Sequence, residues 1–397
     1  MNKRSLLPVL STALLAPAFL AGQVYAEEAT TPAESSAVVA TPATSATPAP
    51  VESPAVPETS ATSEAVVPAE TPSAPAESTK SEEKDTVILH TNDVHGRIVE
   101  EKGVIGDAKL ATVIEQERAK SNQNTLVVDA GDAFQGLPIS NSTKGEARAE
   151  ILNQMQYDAM AVGNHEFDFG LDEVKKYKEI LKFPLLSSNT YVNGARLFEA
   201  STIVDKDKTV EGDEFVVIGV ITPETATKTH PKNVKGVTFT DPISEVNKVI
   251  EEVQAKARAE GKDYKHYVVL AHLGVDTTTP VEWRGSTLAE ALSKNPRLKG
   301  KRVTVIDGHS HTVESTTYGD NVTYNQTGSY LHNVGKITYK SRQLLGNPTQ
   351  IPAADAKKLP ANPTVEKLVK DIKQKYDAEN AVEVVSNSPV EPVSYTH

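Results

Sequence analysis

Short apolar runs alternate along this chain with segments in which apolar positions recur at helical spacing. The runs are rich in valine and isoleucine, which is typical of buried β-strands, whereas the helical spacing indicates helices with one buried face. The predicted strands are Thr86–His90, Thr125–Val128, Ala159–Val162, Pro184–Ser188, Phe215–Ile221, His266–Ala271 and Arg302–Ile306. Val322–Gln326 and Val334–Tyr339 predict a closing pair of antiparallel strands. The alternation of strand and helix predicts a layered α/β domain.

Helical spacing follows most of these strands, and several helices carry start signals. Asp241 and Asn362 are each followed by proline, and Asp and Asn are favoured at the N-cap just as proline is at the first helical position. Thr287 and Glu290 have the spacing of a capping box. The predicted helices include Leu110–Glu117, Gly145–Met155, Leu171–Leu181, one that begins after Asp241 and one that begins after Asn362.

Five predicted strands end in side chains that can bind a metal ion. The ends of neighbouring strands converge at one edge of a sheet, so these side chains could share one pocket. Each short motif alone is more typical of a turn, and it is their occurrence in order at five strand ends that indicates a site. The candidate donors are Asp93, His95, Asp132, Asn164, His272, His309 and His311.

The number and type of these donors predict two metal ions. Imidazole and carboxylate without thiolate suit Zn, Mn, Fe or Co. The set is too large for one transition ion and suits two divalent ions about 3.5–4 Å apart that share a carboxylate. Glycines precede Asp132, Asn164 and His309, and we expect them to let the backbone turn so that the side chains point inward.

Composition excludes several other functions. The chain has no cysteine, which excludes disulfides and sulfur-ligated metals. Its 41 basic and 53 acidic residues give a net charge of −12, so a nucleic-acid polymer is an unfavourable partner.

The N-terminal region predicts export. Met1–Ala26 reads as a secretory signal, with Lys3 and Arg4 before an apolar core and Val24-Tyr25-Ala26 as the cleavage site. Residues 27–85 are rich in Ala, Thr, Pro, Ser and Glu and predict a disordered stalk. No other stretch predicts a transmembrane segment, so we expect a protein that is secreted or held at the cell surface.

The strand-end motifs resemble those of the calcineurin-like metallophosphoesterases and, within them, of the secreted surface 5'-nucleotidases of streptococci. The matching segments are Leu89–Gly96, Asp129–Gly136, Gly163–Gly170, Ile221–Thr225 and Gly308–His311. The resemblance implies a layered fold with two central mixed β-sheets flanked by helices, in a catalytic domain over residues 86–345.

The resemblance also implies residue roles. One ion would be held by Asp93, His95, Asp132 and His311. The other would be held by Asp132, Asn164, His272 and His309, with Asp132 bridging. The phosphate would contact Asn164 and His165, with His165 positioned by Asp168 as the catalytic pair. Glu166 stays open between a carboxylate that supports the metal ligands and an acid that starts a helix.

The activity implied is dimetal-dependent hydrolysis of nucleoside 5'-phosphates outside the cell, with AMP first and ADP and ATP as further candidates. Two other interpretations stay open. One is a 2',3'-cyclic-nucleotide phosphodiesterase or sugar-nucleotide hydrolase with the same metal site. The other is a non-catalytic surface protein.

Members of the family normally carry a second, nucleotide-binding domain after a linker helix. Residues 346–397 predict that helix and a tail, but neither the second domain nor a cell-wall sorting signal. We therefore expect the catalytic half of such an enzyme. We also expect an exposed apolar patch on the last helix, along Val365, Leu368, Val369 and Ile372.

Overall fold

The computed structural model describes residues 84–210 and 212–381. The predicted leader, nearly all of the predicted stalk and the C-terminal tail lie outside the described residues. The strands are β1 Asp85–Thr91, β2 Gln123–Asp129, β3 Ala159–Ala161, β4 Leu185–Leu186, β5 Thr190–Val192, β6 Ala195–Arg196, β7 Ser201–Val204, β8 Phe215–Ile221, β9 Val237–Phe239, β10 His266–His272, β11 Arg302–Ile306, β12 Val313–Tyr318, β13 Val322–Thr327, β14 Asn333–Tyr339 and β15 Asn347–Pro352.

Helices surround these strands. They are α1 Asp107–Arg118, α2 Pro138–Asn141, α3 Glu146–Met155, α4 Leu171–Ile180, α5 Thr225–Lys228, α6 Pro242–Ala259, α7 Gly285–Ser293, α8 Ala353–Ala356 and α9 Pro363–Glu379. Short 3-10 helices cover Asn164–Phe167, Val281–Trp283 and Pro296–Leu298.

Two mixed sheets form the centre of the fold, as predicted. The first has the order β15-β14-β1-β2-β3-β4 and the second β12-β13-β11-β10-β8-β7, with a small third sheet β6-β5-β9. In each large sheet the inner strands run parallel, and antiparallel pairing occurs only toward the edges.

Each large sheet is buried on both faces. Ile88 and Phe215 point into the apolar layer between the sheets, whereas Val87 packs toward the helices on the outer face of the first sheet and Val216 toward those of the second. Parallel strands covered on both faces read as continuous apolar runs, which is why they stood out in the sequence. Burial of each such side chain contributes roughly 1.5–3 kcal/mol before entropy is counted.

The predicted pairing of the last two strands is wrong. β13 lies in the second sheet, parallel to β11 and antiparallel to β12, whereas β14 pairs with β1 and β15 in the first sheet. The true neighbours were missed because β12 is an exposed edge strand without an apolar run, and β15 carries Pro348, which an edge strand tolerates. β15 also carries the first sheet past residue 345, our predicted end of the catalytic domain.

Two predictions about helices are also wrong. Thr287 does not cap a helix, since α7 begins at Gly285 and the Thr287 hydroxyl donates to the carbonyl of Val281. The apolar face of α9 is not an exposed patch. Val365 and Val369 are buried in the core that covers the first sheet, and Leu368 and Ile372 pack against the same core.

A buried ion pair links α1 and α3 beneath this core. Arg148 Nη1 lies 2.8 and 2.6 Å from the two carboxylate oxygens of Asp107, and both side chains are fully buried. We expect Arg148→Met to lower the free energy of unfolding by about 3–5 kcal/mol, because it leaves the Asp107 carboxylate buried without a partner. Urea unfolding at neutral pH measures this change.

The matched control for this prediction is the double variant Asp107→Leu/Arg148→Met. Replacing a whole buried pair by apolar side chains is often neutral, so the double variant should regain most of the lost stability. Equal losses in the single and double variants would show that Arg148 acts through packing alone.

Candidate metal centre

The predicted site residues lie together where the parallel strands of both sheets end. Asp93 and His95 follow β1, Asp132 follows β2 and Asn164 follows β3 in the first sheet. In the second sheet His272 is the last residue of β10, and β11 is followed by His309 and His311. The structure therefore brings all seven candidate donors to one edge, between the two sheets.

The donors form two groups whose ligand atoms lie close enough to hold an ion each. One group is Asp93, His95 and His311, and the other is Asp132, His272 and His309. In the first, His95 Nε2 lies 3.2 Å from His311 Nε2, which is 3.6 Å from Asp93 Oδ1.

The second group is joined by the amide of Asn164. Its Oδ1 lies 3.2 Å from His272 Nε2 and 2.8 Å from His309 Nδ1. Asp132 Oδ2 lies 3.0 Å from His272 Nε2 and also 3.9 Å from His95 Nε2, across the gap to the first group. Asp132 thus lies between the two groups.

The backbone of the donors adopts a conformation that is uncommon outside glycine. Left-handed φ angles between 50° and 75° occur at Asp93, His95, Asp132, His309 and His311. Such residues cluster at functional sites because the surrounding structure must hold them there. No residue pattern in the sequence pointed to this feature.

The glycines before the donors act differently from one another. Gly131 has φ +96° and makes the expected turn. Gly163 has φ −97°, and a Cβ there would lie 2.2 Å from Asp132 Oδ1. A Cβ at Gly308 would lie 2.8 Å from Asp93 Oδ2. At these two positions glycine is required because a larger residue would collide with the carboxylate of a donor, and not because the backbone turns there.

Glu166 supports the loops that carry the donors. The sequence left its role open between this and an acid that starts a helix. Glu166 is fully buried, and its carboxylate accepts N–H bonds from Asp132 at 2.8 Å, Ala133 at 2.9 Å and Gly163 at 2.7 Å. One side chain therefore fixes the loops after β2 and β3 relative to each other. Its position in the Gly163–Gly170 motif was the only signal of this role.

Asp307 and Asn92 support the other loops, and sequence reasoning missed both. Asp307 is buried and accepts N–H bonds from Leu273 at 2.8 Å and Gly308 at 2.8 Å, which ties the ends of β10 and β11 together. The amide of Asn92 donates to Asp93 Oδ2 at 2.6 Å. Each residue lies within two positions of a donor in the sequence, which is the signal that could have found them.

His165 and Asp168 form the predicted pair beside the donors. His165 Nδ1 lies 2.6 Å from Asp168 Oδ2, and a third of the His165 side chain is exposed. Burial opposes its charged form, but the hydrogen bond to Asp168 and the charge of Asp132 outweigh it and raise the pKa of His165 to about 9. These contacts favour the charged form of the ring at neutral pH. Among the other histidines, His90 and His266 are buried structural rings away from the donors, and His230 and His332 are exposed.

The donor set fits divalent ions. His95 Nδ1 donates to the carbonyl of Gln135 at 3.0 Å, and His272 Nδ1 to that of Ala130 at 2.8 Å, so each ring keeps Nε2 free to face its group. Orienting contacts of this kind are typical of metal-binding histidines. The buried carboxylates also need a positive partner, and burial raises the pKa of Asp93 to about 8.

We expect the binding of divalent ions near pH 7 to release protons, from Asp93 in the first group and from His272 in the second. Burial opposes the charged ring of His272, but the carboxylates of Asp132 and Asp93 outweigh it and raise its pKa to about 10, so Nε2 must lose a proton before it can bind a metal. Affinity should therefore rise with pH, by roughly tenfold per unit for each proton released. Calorimetry of Zn²⁺ binding in two buffers of different ionisation enthalpy measures these protons, and identical heats in both would contradict their release.

Comparison with known families and proteins places this chain among phosphoesterases. The family model for calcineurin-like phosphoesterases matches residues 86–313, a region that holds every candidate donor. A 5'-nucleotidase of Vibrio cholerae is 40% identical over 179 residues, which cover 44% of this chain and 32% of that protein. The snake venom 5'-nucleotidase of Naja atra is 32% identical over 286 residues, covering 68% of this chain and 48% of the venom protein. The chain thus spans less than half the length of these relatives.

Solved structures share the fold. The 5'-nucleotidase precursor from Thermus thermophilus is 24% identical, with a TM-score of 0.59 over 74% of this chain and 59% of that one. The calcineurin-like phosphoesterase YfkN from Bacillus subtilis is 20% identical, with a TM-score of 0.62 over 75% of this chain and 98% of that one. At this identity the likeness concerns the architecture alone.

Proposed function

Because the chain belongs to the calcineurin-like phosphoesterase family, we propose that it is a metal-dependent 5'-nucleotidase. It hydrolyses nucleoside 5'-phosphates to nucleoside and phosphate, with AMP as the first candidate and ADP and ATP as further ones. The observation that carries this proposal is the convergence of the seven donors. Six form two groups, Asn164 joins the second, Asp132 lies between the groups and His165 lies beside them. The relatives named as 5'-nucleotidases support the choice of substrate class.

The proposed assignment gives each ion a ligand set. One ion is held by Asp93, His95, Asp132 and His311, and the other by Asp132, Asn164, His272 and His309. When bound, the two divalent ions supply positive charge to the phosphoryl oxygens and make water a stronger nucleophile at neutral pH. The chain fixes where these ions stand, because the supporting contacts of Glu166 and Asp307 hold the loops that carry the ligands.

His165 adds a hydrogen-bond donor for the phosphate. Its Nδ1–H donates to the carboxylate of Asp168, so the Nε2–H of the charged ring remains to donate to an oxygen of the substrate. Thr229 Oγ1 donates to Asp168 Oδ1 at 2.6 Å and Asn233 Nδ2 to its backbone carbonyl at 2.8 Å, so Asp168 is itself held in place. A preorganised donor where negative charge develops stabilises the transition state.

The proposed location is outside the cell, secreted or at the surface. It rests on the secretory signal predicted at Met1–Ala26 and on the stalk predicted after it. None of the helices in residues 84–210 and 212–381 combines the length and the apolar character that a membrane span requires.

A substrate panel tests the function. We expect the 397-residue chain, freed of metal and reloaded with Zn²⁺ or Mn²⁺, to hydrolyse both AMP and p-nitrophenyl phosphate and to lose both activities on chelation. The residues that carry the proposal address the phosphate, and binding energy from remote parts of a substrate adds selectivity only where a site contacts them. The kcat/KM for AMP should therefore exceed that for p-nitrophenyl phosphate by less than about a thousandfold.

The same panel separates the other interpretations. Cleavage of 2',3'-cyclic AMP or of UDP-glucose without cleavage of AMP would favour a phosphodiesterase or sugar-nucleotide hydrolase. A chain that binds two ions and cleaves no member of the panel would be a non-catalytic binding protein.

A further inference from the structure

The segment Ile221–Thr225 lies at the metal edge, but none of the roles above uses it. It leaves β8, the neighbour of β10, and leads into α5. Glu224, in this segment, points its carboxylate toward the second donor group, with Oε2 3.6 Å from His309 Nε2. An acid before a helix often binds the first N–H groups of that helix, yet the Glu224 side chain caps no N–H of α5.

The carboxylate of Glu224 is held in this orientation. Thr279 Oγ1, from the loop after β10, donates to Oε2 at 2.6 Å, and Lys228 Nζ lies 3.9 Å from Oε1. The side chain is largely buried, at 12% exposure. A carboxylate with few free rotamers and one oxygen aimed at an imidazole is a fixed acceptor.

His309 has one nitrogen for the donor group and one left over. Nδ1 lies on the side of Asn164 Oδ1, at 2.8 Å, with the other donors. Nε2 points the other way, is buried, and has no hydrogen-bond partner among the described residues. A metal at Nδ1 requires the proton on Nε2, and a buried N–H without an acceptor is unfavourable.

Two of the other three donor rings meet this requirement with backbone oxygens. The outer nitrogen of His95 donates to the carbonyl of Gln135, and that of His272 to the carbonyl of Ala130. For His309, the acceptor in reach is the Glu224 carboxylate. At 3.6 Å it is longer than a hydrogen bond, and a shift of about half an ångström closes it.

We propose that Glu224 is a positioning residue that accepts the Nε2–H of His309 and so holds the ring in the tautomer whose Nδ1 binds the second ion. This inference rests on the proposed function, since it assumes that ions occupy the donor groups. A carboxylate that accepts the Nε2–H of a histidine makes the ligating nitrogen more basic than a carbonyl would, so the contact strengthens His309 as a ligand. The segment Ile221–Thr225 thereby gains a role in metal affinity.

Metal titration tests the proposal without relying on turnover. Metal-free chain is titrated with Co²⁺ as the original protein and as Glu224→Leu, Glu224→Gln and Glu282→Gln. Glu282 is an exposed carboxylate in the 3-10 helix Val281–Trp283 and serves as the charge-matched control. We expect Glu224→Leu to weaken one of the two binding events by about 10–100-fold and to change the visible spectrum of that Co²⁺.

The Gln variant separates the hydrogen bond from the charge. Its amide oxygen can still accept from Nε2, so Glu224→Gln should bind Co²⁺ more weakly than the original chain and more tightly than Glu224→Leu. The control Glu282→Gln should match the original chain. Urea unfolding of the metal-free forms should give similar midpoints for all variants, because the effect is on metal binding and not on folding.

A double-mutant cycle makes the assignment to His309 specific. If Glu224 acts through this ring, Glu224→Leu should add no further loss in a His309→Ala background. The proposal would be overturned if Glu224→Leu lowered the Co²⁺ affinity as much in the His309→Ala background as in the original chain. It would also be overturned if Glu224→Leu bound both ions with the affinity of the original chain. Failure of the original chain to bind any Co²⁺ would instead contradict the proposed function.

Discussion

The Asp132→Asn variant is expected to lose hydrolytic activity by roughly 10³-fold or more and to retain less metal at both positions. Asp132 is the one carboxylate that the proposed assignment gives to both ions. Its Oδ2 lies 3.0 Å from His272 Nε2 in the second group and 3.9 Å from His95 Nε2 in the first. Asparagine has nearly the same shape, but it carries no charge to separate two cations and can present an NH₂ group to the histidines. Both ions should therefore bind less tightly.

Metal analysis and AMP hydrolysis, measured on the same samples, check this result. The matched control is Asp172→Asn, the same chemical change at a fully exposed carboxylate on α4. It should leave both quantities unchanged. An Asp132→Asn protein with two ions and normal turnover would show that the two groups do not share this carboxylate.

The His165→Asn variant should lower kcat by roughly 10²–10³-fold while metal content stays near that of the original chain. The ring is a donor beside the metal groups and is not one of their ligands under the proposed assignment. Its backbone N–H, which donates to Asp132 Oδ1 at 2.9 Å, is kept by the substitution. The loss should therefore fall on the chemical step and not on the ions.

Two measurements test this separation. In the original chain, kcat should decline at alkaline pH as the ring loses its proton, since the hydrogen bond to Asp168 raises the pKa of His165 against the effect of burial; the variant should lack this decline. Asp168→Asn should give a smaller loss, because it leaves the ring present but weakly oriented. Loss of an ion in His165→Asn would make His165 a metal ligand.

The sequence predicted the strands of the sheet centres and the donors at their ends for one physical reason. Strands buried on both faces must be apolar throughout, so a sudden Asp or His at the end of β1 or β11 stands out against them. The layered architecture followed from that alternation, and the two sheets from the family resemblance. The prediction of the fold, which the structure confirms, therefore rested on the contrast between apolar strand residues and the polar residues that follow them.

What the sequence could not predict depends on partners that are distant along the chain. The edge strands β12 and β15 have no apolar run, because one face or one side meets solvent. The contacts of Glu166 with the loop after β2, and of Glu224 with His309, join residues more than thirty positions apart. The left-handed backbone at Asp93 and His309 is imposed by the assembled site and leaves no mark on residue type, since neither is glycine.

The division of the donors between the sheets has a mechanical consequence. The first group takes Asp93 and His95 from one sheet and His311 from the other, and the second group joins Asp132 to His272 and His309 in the same way. Under the proposed assignment each ion is thus a cross-link at the open end of the β-sandwich, where the apolar layer between the sheets gives way to charge. Removal of the ions would leave Asp93 and Asp132 of the first sheet facing the histidines of the second sheet without metal ions to link them. Under the proposed assignment, the metal centre would therefore also hold the two sheets together at this end of the fold.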